Sequence, residues 1–309
     1  MFFNKPNFPN KQTETAQNIY ILGTSPSALF VAEQLQDLGH HISILCPPKI
    51  VDEFNATDFI FKDRRHLKSK RFQVNFEFEI LTAPDILFIM SEPQNLHNDL
   101  LLLSHKKLEK TTIVNTSPTY PENFVSQILG LPTINAYFSA WLHRNKNHIS
   151  LLTGTPSIKL AISPVSEQFK NMQNLLKKTG ITLENSLSAT DDFWQWLIPQ
   201  AIIFFVSEAF EKNFYICSQK QDCRTTIEKC LKEAITIASL NNAKTEKNEL
   251  LKTLYSAPEN YISPWHAPLK TTQSLLLKTL TNMLFFNVSC DSKRFPTLKS
   301  LITKIENKL

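Results

Sequence analysis

The residues of this chain that are best placed for chemistry surround Gly23, one of only five glycines among 309 residues. Four apolar residues precede it at 19–22, and a second apolar run follows at 41–45. This order predicts a strand, a tight turn, a helix and a second strand, the unit in which a glycine turn binds a dinucleotide. The helix N-terminus then faces the pyrophosphate. The candidate cofactor contacts are the six residues of the turn: Gly23, Thr24, Ser25, Pro26, Ser27 and Ala28.

Two residues of this turn depart from the usual three-glycine pattern. Ser25 replaces the second glycine, and its hydroxyl can hydrogen-bond a phosphate rather than make room for one. Pro26 has no N–H to offer, which the first turn of a helix tolerates. Ala28 satisfies the third position. The alternative is a Rossmann-like domain that binds no nucleotide.

The end of the second strand bears on which dinucleotide is bound. The chain reads Cys46-Pro47-Pro48-Lys49 there, and no acid occurs before Asp52. An NAD site places an acid at this point for the ribose hydroxyl, whereas a cation suits the 2′-phosphate of NADP. We therefore expect NADP rather than NAD, with Lys49 as its phosphate contact. Lys49 as an ordinary exposed loop lysine is the alternative.

The elements that position these residues change character near residue 190. Up to there, apolar segments at 76–80, 86–90 and 112–114 alternate with helical ones, which predicts an α/β fold with a doubly wound parallel sheet. We also expect a hairpin whose turn is Thr153-Gly154-Thr155 and a helix over 166–180 capped by Ser166. Beyond residue 190 the patterns at 193–214, 225–240 and 271–286 are helical. The expected organisation is a mobile tail (1–17), a Rossmann-like dinucleotide-binding domain (18–190) and an all-helical domain for substrate and dimerisation (191–309).

Composition argues against several other classes of function. The net charge is +5, and the one strongly basic run, 62–71, is interpreted as a solvated surface, so we expect no nucleic-acid partner. The five cysteines form no CxxC pair, which predicts no metal site and reduced thiols in a cytoplasmic protein. The start lacks the apolar core of a signal peptide, and the apolar runs are short, so we expect no membrane partner.

Several segments together resemble one enzyme family. They are 19–45 with its Gly39-His40, Ile113-Val114-Asn115, 145–160, 193–200, Ser263-Pro264-Trp265, Thr272-Gln273 and Phe295-Pro296-Thr297. From about residue 19 to 301 the chain is similar to the ketopantoate reductase (2-dehydropantoate 2-reductase) family. The resemblance implies NADPH-dependent reduction of ketopantoate, a small 2-keto acid, to pantoate in pantothenate and coenzyme A synthesis. It also implies a homodimer formed through the helical domain.

The chain departs from this family at most of the active-site positions. Trp196 stands where the family has its catalytic lysine, and Gln200 where it has an asparagine. Gln273, or a residue that does not align, replaces a glutamate, and Ser91-Glu92 replaces a lysine on the cofactor side. Asn115 alone matches cleanly, as a catalytic and cofactor-binding residue.

Reduction of a keto acid needs a proton donor and a partner for the substrate carboxylate. Gln200, Phe204, Glu208 and Lys212 follow one another at intervals of four residues and predict one helix face that can supply both, although Glu208 and Lys212 can equally form a surface ion pair. His266 is a further candidate donor. The resemblance implies that Ser263 and Gln273 bind the substrate, and His266 and Lys270, which follow Ser263 on an expected helix, are each a candidate to supply the proton or to bind the substrate carboxylate.

Two other functions stay open at this stage. One is a non-catalytic NADP-binding sensor or scaffold protein, which the missing lysine and glutamate favour. The other is a different dehydrogenase of the same superfamily that acts on another hydroxy acid or on an imine.

Overall fold

A computed structural model of the protein describes residues 16–62, 69–72, 75–103, 108–117, 119, 123–263, 265–266 and 270–309, with the backbone alone at 69–72 and 270–271. Residues 1–15 of the expected tail and 63–68 of the basic run lie outside this part of the chain. Within it, Gln17 is already fixed to the sheet, because its N–H donates to His40 Nδ1 and its carbonyl oxygen accepts from the N–H of His41.

The described residues form ten strands and eleven helices. The strands are β1 Asn18–Leu22, β2 His41–Leu45, β3 Phe59–Lys62, β4 Ser69–Phe72, β5 Asn75–Glu77, β6 Ile86–Ile89, β7 Thr112–Asn115, β8 Ile134–Asn145, β9 His148–Ala161 and β10 Thr182–Ser186. The helices are α1 Pro26–Gln36, α2 Pro48–Asn55, α3 Leu96–Leu103, α4 Phe124–Leu129, α5 Glu167–Leu176, α6 Ala189–Phe210, α7 Phe214–Gln219, α8 Gln221–Leu240, α9 Lys247–Tyr255, α10 Lys270–Leu284 and α11 Pro296–Glu306.

A parallel sheet in the order β8-β7-β6-β1-β2-β5 forms the centre of the first half. Strands β1 and β6 are almost entirely buried and apolar on both faces, as expected for central parallel strands covered by helices. The expected Rossmann-like α/β architecture with a helical second part is confirmed. Because the strands run parallel, β1, β2, β6 and β7 all end at the same edge, where the glycine turn lies.

Strand β8 extends this sheet and then leaves it. Ile134 and Asn135 pair with β7, whereas the rest of the strand pairs with β9 in a second layer that includes β3, β4 and β10. Apolar residues of β8 and β9 pack on α1, so that α1 is buried between the two layers.

The hairpin predicted around Thr153-Gly154-Thr155 is wrong, and a different hairpin, formed by β8 and β9, is found instead. Strands β8 and β9 meet at residues 146 and 147, and β9 runs without interruption through Thr153-Gly154-Thr155. The pairing with β8 shifts register in this region, and Gly154 has a φ of +77°, which is typical of a bulge. A bulge and a turn use glycine for the same backbone freedom, which explains the error.

Helix α6 is the centre of the second half. It is mostly apolar and mostly buried, with its few polar residues spread along its length, and α7, α8, α9, α10 and α11 pack on it. Among the described residues it is the one helix with the length and hydropathy of a membrane span, and two thirds of that stretch (67%) is buried inside the protein. From Ala189 to Glu306 the regular elements of the described residues are all helices.

Two helix ends differ from the sequence predictions. Helix α6 ends at Phe210, and Glu211 takes a left-handed cap conformation, so Lys212 lies beyond the helix and does not share a face with Gln200 and Glu208. Ser166 caps α5 as expected by accepting from the N–H of Phe169. That helix stops at Leu176, four residues before Gly180.

Candidate active site

Gly23 is required by the packing of three strand ends. Its φ is +117°, and a Cβ atom there would lie 2.7 Å from the carbonyl oxygen of Met90 and 2.8 Å from the nitrogen of Ser91. Its N–H donates to the carbonyl oxygen of Leu45 at 3.0 Å. The glycine therefore allows the end of β1 to approach the ends of both β2 and β6, which forms the floor of the candidate site.

Ser25 caps the helix that follows the turn. Its Oγ accepts from the N–H of Ala28 at 3.2 Å and donates to the carbonyl oxygen of Met90 at 3.2 Å. The hydroxyl that we expected to meet a phosphate is thus used inside the protein. Pro26 starts α1 as predicted, and the first turn of the helix contains no acid, so its positive end is not neutralised from within the helix.

Arg144, near the tip of the β8–β9 hairpin, reaches across α1 to this turn. Its Nη1 donates to the carbonyl oxygen of Thr24 at 3.1 Å, and its Nε to that of Lys146 at 2.9 Å. The guanidinium lies over the rings of Phe54 and Phe59, at 5.4 and 5.8 Å from their centroids. Burial lowers the pKa of Arg144, and the carboxylates of Glu92 and Glu53 partly offset that effect. No sequence pattern indicates a functional role for Arg144.

Asn115 organises the loop after β7. Its Oδ1 accepts from the N–H of Ser117, and its Nδ2 donates to Thr119 Oγ1 at 3.1 Å and to Asn135 Oδ1 at 3.3 Å. Ser117 Oγ in turn donates to the carbonyl oxygen of Ser91 at 2.7 Å. Asn115 is 2% exposed, and its amide is fully engaged within the protein. In this arrangement it shapes the site and does not offer its amide to a ligand.

Two acids follow β6 at the same edge. Loss of water around its carboxyl raises the pKa of Glu92; Arg144 opposes this effect and Asp99 adds to it. Gln94 Nε2 donates to Glu92 Oε2 at 2.7 Å. Burial also raises the pKa of Asp99, and a hydrogen bond with Ser91 partly offsets it. Glu92 is therefore an acid that keeps its proton to a higher pH than an ordinary glutamate.

These strand ends and the second half of the protein enclose a cleft of about 100 Å³. Its lining residues come from both halves: Ser25, Ser27, Met90, Ser91, Glu92, Pro93, Gln94, Thr116, Ser117, Phe138, Trp196 and Trp265. Pockets that enclose a drug-sized ligand measure roughly 300–1,000 Å³, so this cleft encloses only part of such a molecule. Trp265 is 2% exposed, and within the described residues its Nε1–H has no hydrogen-bond acceptor.

Trp196 also borders a larger cleft of about 680 Å³ between the second sheet layer and the starts of α6 and α9. Gln200 lies in this cleft, where its Oε1 accepts from the hydroxyl of Tyr261 at 3.0 Å. The ring of Tyr261 meets that of Trp141 edge to face at 4.5 Å. Trp196 therefore separates the cleft at the glycine turn from the one that contains Gln200.

The remaining predicted catalytic residues lie away from the small cleft. Glu208 is about 18 Å farther along α6 than Trp196, at 1.5 Å per residue. Its Oε1 is 2.8 Å from His266 Nδ1, so the expected Glu208–Lys212 pair is replaced by a Glu208–His266 pair. Neither residue of that pair lines the cleft, and Lys212 does not line it either.

Only some of the predicted ligand-binding residues outside the turn line the small cleft. Ser91 lines the cleft, whereas Lys49 is exposed in the first turn of α2. Ser263 Oγ accepts from the N–H of Trp265 and so supports that tryptophan. Gln273 is buried in α10, and the side chain of Lys270 lies outside the described residues.

No family model matches the chain, and no curated protein matches it in sequence. Solved structures do match. A PanE/ApbA family ketopantoate reductase from Ralstonia eutropha has a TM-score of 0.74 at 13% identity, over 94% of this chain and 98% of that one. A 2-dehydropantoate 2-reductase from Geobacter metallireducens has a TM-score of 0.73 at 13% identity, over 94% and 99%. This chain has the ketopantoate reductase fold. D-mandelate dehydrogenase with NADH and anilino(oxo)acetate has a TM-score of 0.77 at 11% identity, over 94% and 97%.

Two of the departures from the family pattern share one location. Trp196 and the Ser91-Glu92 pair line the small cleft, whereas Gln200 lies in the larger cleft and Gln273 is buried in α10. Sequence reasoning missed Trp265 as a functional candidate because a buried tryptophan is usually a core residue. Its neighbour Ser263, which the resemblance did select, was the available signal.

Proposed function

We propose that this chain is an NADPH-dependent reductase of 2-keto acids that converts 2-dehydropantoate to pantoate for pantothenate and coenzyme A synthesis. One observation supports this most directly: Ser25 of the glycine turn lines the same cleft as Trp196 and Trp265 of the helical half. A dinucleotide held by the turn and a substrate held by the helical half would meet there. The five free cysteines suit a cytoplasmic enzyme, and the helical half is the proposed homodimer surface.

The residues of the cleft fit a nicotinamide dinucleotide. The first turn of α1 carries no acid that would repel a pyrophosphate, and Trp265 offers a buried N–H without an acceptor in the described residues. Ser27 and Thr116 add hydroxyl groups. When bound, the cofactor supplies a hydride to the carbonyl carbon of the substrate.

Glu92 is the proposed proton donor. It lines the cleft, and although the residue as a whole is exposed, the protein atoms around its carboxyl displace water and raise its pKa, so the protonated form persists to higher pH. The carboxyl of Glu92 would give its proton to the carbonyl oxygen of the substrate, which would leave a hydroxyl group on the product and a carboxylate on Glu92. Glu92 would thus take over the role of the catalytic lysine of ketopantoate reductases. Trp196 of α6 occupies the position of that lysine, and Glu92 lies across the cleft from it, after β6.

The substrate carboxylate would be bound by neutral donors. None of the residues described along the cleft is a lysine or an arginine. The Trp265 Nε1–H and the hydroxyl of Ser27 are the available donors, whereas the Thr116 hydroxyl already donates to the carbonyl oxygen of Ile89 at 3.1 Å. We therefore expect weaker ground-state binding of small keto acids than an arginine or lysine would give.

An aromatic 2-keto acid is the second candidate substrate. Trp196, Trp265 and Phe138 give the cleft an aromatic lining, which would stack on a phenyl ring. One similar structure is a D-mandelate dehydrogenase bound to NADH and anilino(oxo)acetate, a ligand with an aromatic ring. The enzyme would then be a hydroxy-acid dehydrogenase of the same superfamily.

A non-catalytic NADP-binding sensor is the third candidate. The small volume of the cleft and the bulk of Trp196 favour it, because they leave little room for a substrate beside the cofactor.

One assay separates the three functions. Purified protein is mixed with NADPH or NADH and either ketopantoate or phenylglyoxylate, the keto acid of mandelate, and the loss of cofactor absorbance is followed. Turnover with ketopantoate supports the first function, and a preference for phenylglyoxylate supports the second. No turnover with either acid, together with measurable cofactor binding by calorimetry, would support the third function, a non-catalytic sensor.

A further inference from the structure

Arg144 is placed where the adenosine end of a dinucleotide is expected. It contacts the carbonyl oxygen of Thr24 in the glycine turn and the ring of Phe54 in α2, the helix that directly follows β2. In doubly wound folds the ribose beside the adenine lies over the end of this second strand. Arg144 therefore joins the two segments between which that ribose is bound, although it comes from a strand about 120 residues farther along the chain.

The region lacks the acid that would select NAD. Cys46 follows β2 and is 1% exposed, and the next acid, Asp52, lies a full turn into α2. A carboxylate at the end of β2 accepts the ribose 2′-hydroxyl in NAD sites, whereas a nearby arginine accommodates the 2′-phosphate of NADP. The residues that follow β2 therefore favour a ribose that carries a 2′-phosphate.

The charge of Arg144 is held in place but is not neutralised by a direct partner. Two of its N–H groups are bound to carbonyl oxygens, and none of the ion pairs among the described residues includes it. Glu53 and Glu92 act on it only at longer range. A guanidinium stays charged in proteins, so a partly buried one gains when an anion pairs with it.

We propose that Arg144 binds the 2′-phosphate of NADP and makes the site selective for NADP over NAD. This inference rests on the proposed function, because it assumes that a nicotinamide dinucleotide occupies the glycine turn. The planar guanidinium, fixed by Thr24 and stacked on Phe54, would offer its remaining N–H groups to the phosphate oxygens. Lys49, which the sequence suggested for this role, is exposed and would contribute less.

The test compares two small ligands that differ in the 2′-phosphate. Calorimetry measures the binding of adenosine 2′,5′-bisphosphate and of 5′-AMP to the wild type and to Arg144→Met, which keeps an unbranched apolar side chain over Phe54. We expect the wild type to prefer the bisphosphate. Arg144→Met should lose about 10- to 100-fold in affinity for the bisphosphate and keep its affinity for 5′-AMP. Arg144→Lys should fall between the two, because it keeps the charge and loses the planar fork.

Two control variants remove nearby charges. Lys146→Asn deletes the charge at the hairpin tip, where the positive φ of 55° suits asparagine, and Lys49→Met tests the lysine of α2. We expect little change in the ratio of the two affinities for either variant. A loss with Lys49→Met and none with Arg144→Met would overturn the proposal, as would equal losses for both ligands with Arg144→Met.

The outcomes also separate this inference from the proposed function. Equal binding of NADPH and NADH by the wild type overturns the role of Arg144 and leaves the reductase in place. Binding of neither dinucleotide overturns both. Thermal unfolding would reveal whether Arg144→Met is too unstable to assay. In that case Arg144→Lys decides the question through the ratio of its affinities for the bisphosphate and for 5′-AMP. If the arginine were only structural, this ratio would stay unchanged.

Discussion

Lys159 of β9 and Asp192 of α6 form an ion pair that joins the sheet to the central helix of the second half. The Nζ of Lys159 is 2.6 Å from Oδ1 of Asp192, and the side chain of Asp192 is only 3% exposed. The second carboxylate oxygen of Asp192 has no hydrogen-bond partner within the described residues. Lys159 is thus the direct cationic partner of a buried carboxylate at the boundary between the two halves.

Removing this lysine should destabilise the protein. Lys159→Met leaves the buried carboxylate of Asp192 without its cation, and we expect the free energy of unfolding to fall by about 1–3 kcal/mol. The loss is below that of a fully buried pair because the Lys159 side chain is 37% exposed. Urea unfolding measures it. Adding Asp192→Asn to the same protein should recover part of the loss, and an unchanged unfolding midpoint in Lys159→Met would contradict the role of the pair.

Gly23→Ala should destabilise the protein more than Gly39→Ala does. Both glycines have a positive φ, +117° and +89°, but a Cβ at Gly23 would meet the backbone of Met90, whereas one at Gly39 would meet nothing within 4 Å. Gly39→Ala should cost about 1–2 kcal/mol from backbone strain alone. Gly23→Ala should cost more and should also weaken NADPH binding. Thermal unfolding and calorimetry check both, and equal behaviour of the two variants would refute the argument.

The rate of keto-acid reduction should depend on the protonation of Glu92. Reduction needs the protonated acid, so kcat/KM should stay high below the raised pKa of Glu92 and fall as the pH rises through it. Glu92→Gln should lower kcat by about 10²–10⁴-fold and remove this limb of the pH profile. Glu79→Gln, which changes an exposed carboxyl, is the matched control. Survival of the limb in Glu92→Gln would exclude Glu92 as the donor.

The indole N–H of Trp265 should matter more than its ring. Trp265→Phe keeps an aromatic side chain in the cleft and removes the Nε1–H that has no acceptor among the described residues. If this group binds the substrate carboxylate, kcat/KM should fall by up to about 100-fold while thermal stability changes little. A variant that loses stability and keeps its kcat/KM would assign Trp265 to packing alone.

The parts of the fold that sequence could predict are those set by local pattern. The run from Asn18 to Leu45 has apolar strands on either side of a glycine turn, and these two strands pair with each other within thirty residues, so both strands and α1 were predicted close to their observed bounds. The central helix α6 was recognised for the same reason. Its apolar stretch is long, and its identity as a helix does not depend on what packs against it.

The candidate site was less predictable because its contacts are not local. The hydrogen bond from Arg144 to Thr24 spans 120 residues, and no spacing rule connects the two. The i+4 pattern that joined Gln200, Glu208 and Lys212 was sound in itself. It failed because a left-handed residue, Glu211, ends the helix before Lys212, and Glu208 pairs with His266 from another segment.

Strand β8 acts as a spacer of fixed length between the two ends of the site. Near its start Asn135 bonds to Asn115, and near its end Arg144 bonds to Thr24. These two residues are nine positions apart, or about 30 Å along an extended strand. Deletion of two residues between them would keep every side chain on its own face yet draw the guanidinium back by about 7 Å. If Arg144 selects NADP, relatives with this fold could exchange one dinucleotide for the other through a change in strand length, with no substitution in the glycine turn itself.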